Sequence, residues 1–317
     1  MTQLILVPQA PVPMRYQWWF ATAFPKQLRR RFNMVVVLGE KQLQTNKYKY
    51  LDNALFSPIR PSITFELRQI QEYMDLPIED DDILLLMDIS FPGLFPNVLY
   101  HNRPKNCFAY CHATACNNLD YFEKDRDSKF STETAHSQLF TKIFVATRYH
   151  KDKLGWDNVE VIGLPKPLFR TYENEEKKYD VISVARPCEQ KVTLSLEKLV
   201  EETFGKIERR QCNTWDEYYR FLSSGKVLLS TAREETFGYS VLEATLNNCI
   251  PICPSKLSFP ELLPREYLYD DAAELIDRIQ CCLDGKYEVP KLLNTDLIEN
   301  FYDNLSGKMK ENSSPIH

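Results

Sequence analysis

Glycine is scarce in this sequence, with nine in 317 residues. A collagen-like or glycine-rich low-complexity chain is therefore excluded. No stretch approaches the roughly 20 apolar residues that a membrane-spanning helix needs. The start, Met1-Thr2-Gln3-Leu4-Ile5-Leu6-Val7, lacks the basic front and the length of an export signal, and it reads as a first buried strand. There is no C-x-x-C pair among the nine cysteines, and Cys111-His112 with Cys116 has no second cluster to complete a zinc site. These cysteines read as reduced thiols of a cytoplasmic protein without metal. Internal repeats and low-complexity segments are missing too, which excludes solenoids and arrays. The formal net charge is only −5, yet basic residues outnumber acidic ones up to Arg170 and the balance reverses afterwards. Two units with different partners are expected from that asymmetry.

What is present is an ordinary globular composition, 44% hydrophobic and 26% charged, on a chain long enough for two domains. Short β-type runs alternate with helical patterns, the signature of βαβ units and parallel sheets. In the front half the strands are expected at Leu4–Val7, Met34–Leu38, Ile83–Met87, Cys107–Cys111, Ile143–Ala146 and Val159–Ile162. Helices are expected at Trp18–Arg31, Ile63–Met74 and Thr132–Phe140. Gly163-Leu164-Pro165-Lys166-Pro167 and the polar run from Arg170 to Lys178 read as a linker. Strands then follow at Asp180–Ala185, Lys206–Cys212, Lys226–Thr231 and Ile250–Cys253, with helices at Leu194–Phe204, Trp215–Leu222, Phe237–Leu246 and Ala272–Leu283. An amphipathic stretch, Asp296–Met309, precedes the tail.

The densest chemistry lies in Thr231-Ala232-Arg233-Glu234-Glu235-Thr236-Phe237-Gly238-Tyr239-Ser240-Val241-Leu242-Glu243-Ala244. A strand ends, a turn carries two carboxylates, and a helix opens near Gly238. First-turn amides of a helix suit a phosphate, and glycine allows close approach of a ligand to the backbone. Carboxylates at Glu235 and Glu243 are of the type that accepts hydrogen bonds from vicinal hydroxyls. Upstream, Arg186 and Lys191 follow the strand Asp180–Ala185 as a basic pair on the loop that leaves its carboxyl end. A solvated basic pair and two helix-surface glutamates are the plain alternatives to these readings.

The run resembles the Glu-x7-Glu signature, Glu-Gly-Phe-Gly-x4-Glu-Ala, of the family-four retaining GT-B glycosyltransferases. Glu235, Phe237, Gly238, Glu243 and Ala244 match it, and Thr236 stands where the family has a first glycine. The Arg186/Lys191 spacing is similar to the family's as well, as are Val159–Pro165, Ile250-Pro251-Ile252 and Pro260-Glu261. Asn248 replaces a usual glycine, and the family's glycine-rich first loop is replaced by Pro8-Gln9-Ala10-Pro11-Val12-Pro13. The resemblance implies an α/β GT-B fold of two Rossmann-like domains facing across a cleft. Residues 1–170 would bind the acceptor, 171–295 the donor, and the tail helix within 296–317 would cross back. It also implies a nucleotide-sugar donor, with UDP-sugar the leading choice, and no metal or other cofactor. Glu235, Arg186, Lys191 and His112 would be catalytic. Glu243 would hold the ribose, while Thr236, Phe237, Gly238, Tyr239 and Ser240 would complete the donor site.

The acceptor is read from the front half. Arg15, Trp18 and Trp19, followed by Arg29 and Arg30, interleave aromatic and basic residues in a way that suits nucleic-acid stacking and phosphate neutralisation. The same residues also describe a packed helix or a membrane-surface helix. A resemblance to phage-type transferases makes hydroxymethylated pyrimidines in double-stranded DNA the favoured acceptor, which would place the protein in the host cytoplasm. A lipid-linked or surface glycan is the second choice, and a sugar-nucleotide epimerase of the same fold is the alternative of another class.

Overall fold

The computed structural model describes residues 2–9, 15–43, 63–90, 93–117, 119, 123–166, 171–172 and 175–311, with the backbone alone for 15–21 and 123. Among these, six parallel strands form a front sheet in the order β2-β1-β3-β4-β5-β6. They are β1 (Leu4–Val7), β2 (Val35–Val37), β3 (Ile83–Leu86), β4 (Asn106–Tyr110), β5 (Lys142–Val145) and β6 (Val159–Val161). Helices α1 (Arg15–Leu28), α2 (Glu40–Leu43), α3 (Ile63–Met74), α4 (Arg126–Ser137) and α5 (Arg148–Leu154) connect them. Parallel strands covered on both faces read as continuous apolar runs. Accordingly β1, β3 and β4 are buried at every position.

A second parallel sheet follows in the order β10-β9-β8-β7, from β7 (Tyr179–Ile182), β8 (Gly225–Leu229), β9 (Ile250–Pro254) and β10 (Leu268–Tyr269). Its helices are α6 (Leu194–Phe204), α7 (Trp215–Ser224), α8 (Tyr239–Leu246) and α9 (Ala272–Leu283). Thr214 and Asp271 cap α7 and α9 by accepting the amides of Glu217 and Glu274. Asn248 takes the left-handed conformation (φ 56°) just past α8, as expected of the residue replacing glycine there.

Several boundaries differ from expectation, three of them as follows. Lys206–Cys212 contributes only a bridge, Glu208 beside Ile182, because the segment turns away after one residue of pairing. The helix expected at Thr132–Phe140 starts six residues earlier and stops at Ser137, where the amides of Leu139 and Phe140 turn back to His136 and Ser137. The helix expected from Phe237 begins at Tyr239, after Gly238 at φ 100°.

In both sheets chain order reverses inside the sheet, between β1 and β3 in front and at β7 behind, where Ile182 meets Leu228 on one side and Glu208 on the other. Crevices at the carboxyl ends of the strands beside such reversals are where open α/β sheets bind ligands. The tail, α10 (Asp296–Glu299) and α11 (Phe301–Glu311), returns to the front sheet. Phe301, Leu305 and Met309 are fully buried in a core that runs without a break from β1 to β9. Phe301 meets Phe24 of α1 edge-on at 5.7 Å, and Asp303 accepts from Arg31 at 2.8 Å.

Candidate functional site

Two loops meet at the carboxyl end of the rear sheet. The loop after β7 turns on itself, Cys188 donating to Arg186 O (2.8 Å) and Lys191 to Cys188 O (2.9 Å). Gln190 O then accepts the amides of Arg233 (3.0 Å) and Glu234 (3.1 Å) from the loop after β8, and Thr193 is doubly bonded to Thr231. This zipper carries the Lys191 ammonium to Glu235, 3.0 Å from Oε2 and 2.9 Å from the carbonyl of Glu234. Both side chains are about one-fifth exposed (20% and 22%), so the pair is open to a ligand while anchored by protein. Oε1 of Glu235 accepts the amides of Thr236 (3.2 Å) and Phe237 (3.4 Å), fixing the carboxylate against its own loop. Arg186 is exposed on the first loop, five residues ahead of Lys191.

The turn into α8 needs glycine. At Gly238, φ is 100° and an added Cβ would lie 3.2 Å from Leu262. Phe237 and Tyr239 are buried and meet edge-on at 4.9 Å, and Tyr239 Oη donates to Pro165 O (3.1 Å). Their side chains thus brace the turn, and the amides of Tyr239 and Ser240 open the helix four and five residues after Glu235.

From the front sheet, His112 follows β4 and reaches the same place. Its carbonyl accepts from Thr236 Oγ1 at 3.1 Å, and its ring stacks on Tyr110 with centroids 4.5 Å apart. Burial pulls the imidazole pKa down to about 3; neighbouring His150 adds to this, and the Met87 backbone hydrogen bond works against it. His112 is therefore a neutral hydrogen-bonding group at physiological pH. Near it Asp88 is buried, with Ser90 N (3.0 Å) and Gln9 Nε2 (2.5 Å) donating to its carboxylate. Burial holds that carboxyl well above its ordinary range.

Two groups of expected site residues are placed apart from this meeting of loops. Glu243 is fully buried and does not line the cleft: Tyr218 Oη (2.9 Å) and Tyr219 Oη (3.1 Å) of α7 donate to its two oxygens. In this conformation it cements α7 to α8 and is not open to a ribose. Arg29 and Arg30 are likewise not brought to the site. Helix α1 runs antiparallel to the strands, so its end lies by the amino end of β1, where Leu4 bonds Met34. Arg29 pairs there with Glu40 (2.7 Å), and Arg30 reaches Gln27 (3.5 Å). The side chains of Arg15, Trp18 and Trp19 lie outside the described residues, as do residues 10–14 of the proline-rich first loop. Among the described residues no group of His, Cys, Asp and Glu could hold a metal ion, and no helix is long and apolar enough to cross a membrane.

Sequence reasoning missed Glu234, Tyr149 and Lys153. Glu234 is 1% exposed and forms an ion pair with Lys153 of α5, while Tyr149 Oη donates to it at 2.9 Å. The Glu234-Glu235 doublet was the only available signal, since the partners stand more than eighty positions away.

No known protein-family model matches the chain. Over 76 residues it is 40% identical to the tRNA-queuosine alpha-mannosyltransferase of Drosophila melanogaster, a stretch that covers 24% of this chain and 19% of that enzyme. The match thus spans about a fifth of that relative's length. Among solved structures the chain is similar to sucrose-phosphate synthase from Thermosynechococcus elongatus, with TM-score 0.63 and 11% identity over 99% of this chain and 95% of that one. Anabaena HepE in complex with UDP-glucose gives 0.58 and 9% over 99% and 96%. AviGT4, a glycosyltransferase involved in avilamycin A biosynthesis, gives 0.54 and 13% over 99% and 98%. The chain has the GT-B glycosyltransferase fold.

Proposed function

We propose that this protein is a retaining glycosyltransferase that moves a sugar from a nucleotide-sugar donor, UDP-sugar first, onto a hydroxyl of a modified nucleic-acid base. The observation that carries the transferase reading is the meeting of Lys191 and Glu235 at 3.0 Å beside the start of α8. An ammonium held there, with Arg186 on the same loop and the first-turn amides, gives a departing diphosphate a preorganised positive surface. Glu235 orients the sugar and offsets positive charge growing at its anomeric carbon. His112, neutral and close to Thr236, donates or accepts a hydrogen bond without adding charge. For retention, the leaving phosphate oxygen takes the acceptor's proton as the new C–O bond forms on the face that the old one leaves.

The acceptor class is supported by the 40%-identical stretch shared with an enzyme whose name specifies tRNA queuosine. That relative puts a hydroxylated tRNA base ahead of hydroxymethylated pyrimidines in DNA. Arg29 and Arg30, the basic residues behind the DNA reading, pair with Glu40 and Gln27 by the amino end of β1 and not with the site residues. The test is to incubate the protein with UDP-, GDP- and ADP-sugars and one of five acceptors: queuosine-containing tRNA, tRNA lacking queuosine, hydroxymethylated DNA, plain DNA or lipid-linked sugar. Incorporation into the queuosine tRNA alone is expected. Transfer only to lipid-linked sugar overturns the acceptor, and no donor consumption in any mixture overturns the transferase reading itself.

A further inference from the structure

Helix α5 belongs to the front sheet, yet residues of the rear half hold it. Glu261 accepts the amides of Arg148 (2.9 Å) and Tyr149 (2.8 Å) at its first turn. The capping Thr147 donates its hydroxyl to Thr236 O at 2.7 Å. One turn on, Tyr149 and Lys153 converge on the buried carboxylate of Glu234. Burial, with Glu234 adding to it, raises the Tyr149 hydroxyl well above its ordinary range, so it stays protonated and donates. The main chain of Glu234 works on the other side: its amide bonds Gln190 O (3.1 Å) and its carbonyl accepts the Lys191 ammonium (2.9 Å). A single residue therefore ties α5, the Lys191 loop and the Glu235 loop. A buried carboxylate whose cation is removed is strongly destabilised, so this tie resists separation.

We propose that Lys153 and Tyr149 are positioning residues. By gripping Glu234 they hold residues 233–236 in the register that sets Lys191 against Glu235, so the phosphate-facing cation is in place only while the two sheets are in contact. The proposal rests on the reading of Lys191 as a phosphate-binding group. Closure of the cleft and assembly of the donor site become one event, because the clamp and the cation share the same peptide.

Hydrogen exchange at the 233–238 amides and titration calorimetry with UDP test this. The proteins compared are the unmodified chain, Lys153→Met, Lys153→Arg, Tyr149→Phe, the double variant Lys153→Met with Glu234→Gln, and Lys151→Met, an exposed control on the same helix. Lys153→Met is expected to speed exchange and weaken UDP binding, each by on the order of tenfold. Lys153→Arg restores both, Tyr149→Phe gives a smaller change in the same direction, and Lys151→Met changes neither. The double variant removes the stranded buried charge, so it folds even if Lys153→Met does not, and it is expected to keep fast exchange and weak binding. Unchanged exchange in Lys153→Met, or a double variant indistinguishable from the unmodified chain, overturns the proposal. Should the unmodified chain bind no UDP, GDP or ADP, the phosphate reading of Lys191 fails, while the exchange measurements still decide whether Lys153 sets the loop.

Discussion

At the carboxyl end of the rear sheet charge is gathered and left within reach of solvent: Arg186 exposed, Lys191 and Glu235 each about one-fifth exposed (20% and 22%). At the carboxyl end of the front sheet burial keeps His112 and His150 neutral and favours the protonated form of Asp88, and the charges that remain, such as Lys153 with Glu234, are paired and largely buried. The same α/β architecture thus builds one end suited to an ionic ligand and another suited to neutral hydroxyls. The proposed transfer from a nucleotide-sugar to an uncharged hydroxyl would match that pairing, because negative charge gathers on the leaving diphosphate and not on the acceptor.

The contrast breaks most sharply at Lys191. Lys191→Ala is expected to lower turnover by on the order of 10²–10³ while the thermal midpoint stays near that of the unmodified chain. Steady-state kinetics beside a melting curve checks this; equal turnover would leave the rear end no more functional than the front. Next comes Glu243→Ala, which strands two buried phenols at roughly 1–3 kcal/mol each. Urea unfolding should show the loss. A stable variant with only weakened donor binding would return Glu243 to the ribose. Gly238→Ala, forced into a left-handed turn against Leu262, is expected to cost about 1–3 kcal/mol and to weaken UDP binding together with stability.

The smallest effect is an absence of change at the front end. With folded pKa values of about 3, the imidazoles of His112 and His150 should show no titration by NMR between pH 7.5 and about 5. The sign follows from linkage. Below the ordinary 6.5 the unfolded chain binds protons that these two folded histidines refuse, so their contribution to stability is full above that pH and fades as the pH falls toward about 3. Asp88 acts oppositely, since its folded carboxyl keeps a proton that the unfolded chain releases above 3.8. An imidazole that titrates near 6.5 would mean the front end carries charge after all.

The fold and the rear site were legible for a common reason. Strand runs such as Ile83–Leu86 are apolar on both faces, and loops leaving carboxyl ends are where Lys191 and Glu235 had to fall. The setting of Glu243 was not legible because spacing along a helix does not say which neighbour covers it, and the tyrosines of α7 do. Nor was the setting of Arg29 and Arg30, because composition is blind to helix direction. Lys153 and Glu234 could not be found at all: they stand 81 positions apart and belong to no shared pattern. Long-range pairing of single charges leaves no periodic trace in a sequence.

Helix α11 covers α1, and the contacts Arg31–Asp303 and Lys310–Arg31 O span 272 and 279 positions of the chain. During synthesis the front sheet therefore emerges first but remains unroofed. Phe24 lacks its edge-on partners Phe301 and Tyr302 until residues 301–311 leave the ribosome. For most of translation this unit must survive as a partly open α/β sheet with an apolar groove, the kind of species that chaperones bind. A chain truncated just before Phe301 would keep every strand of both sheets while its front sheet lacked the Phe301, Leu305 and Met309 packing.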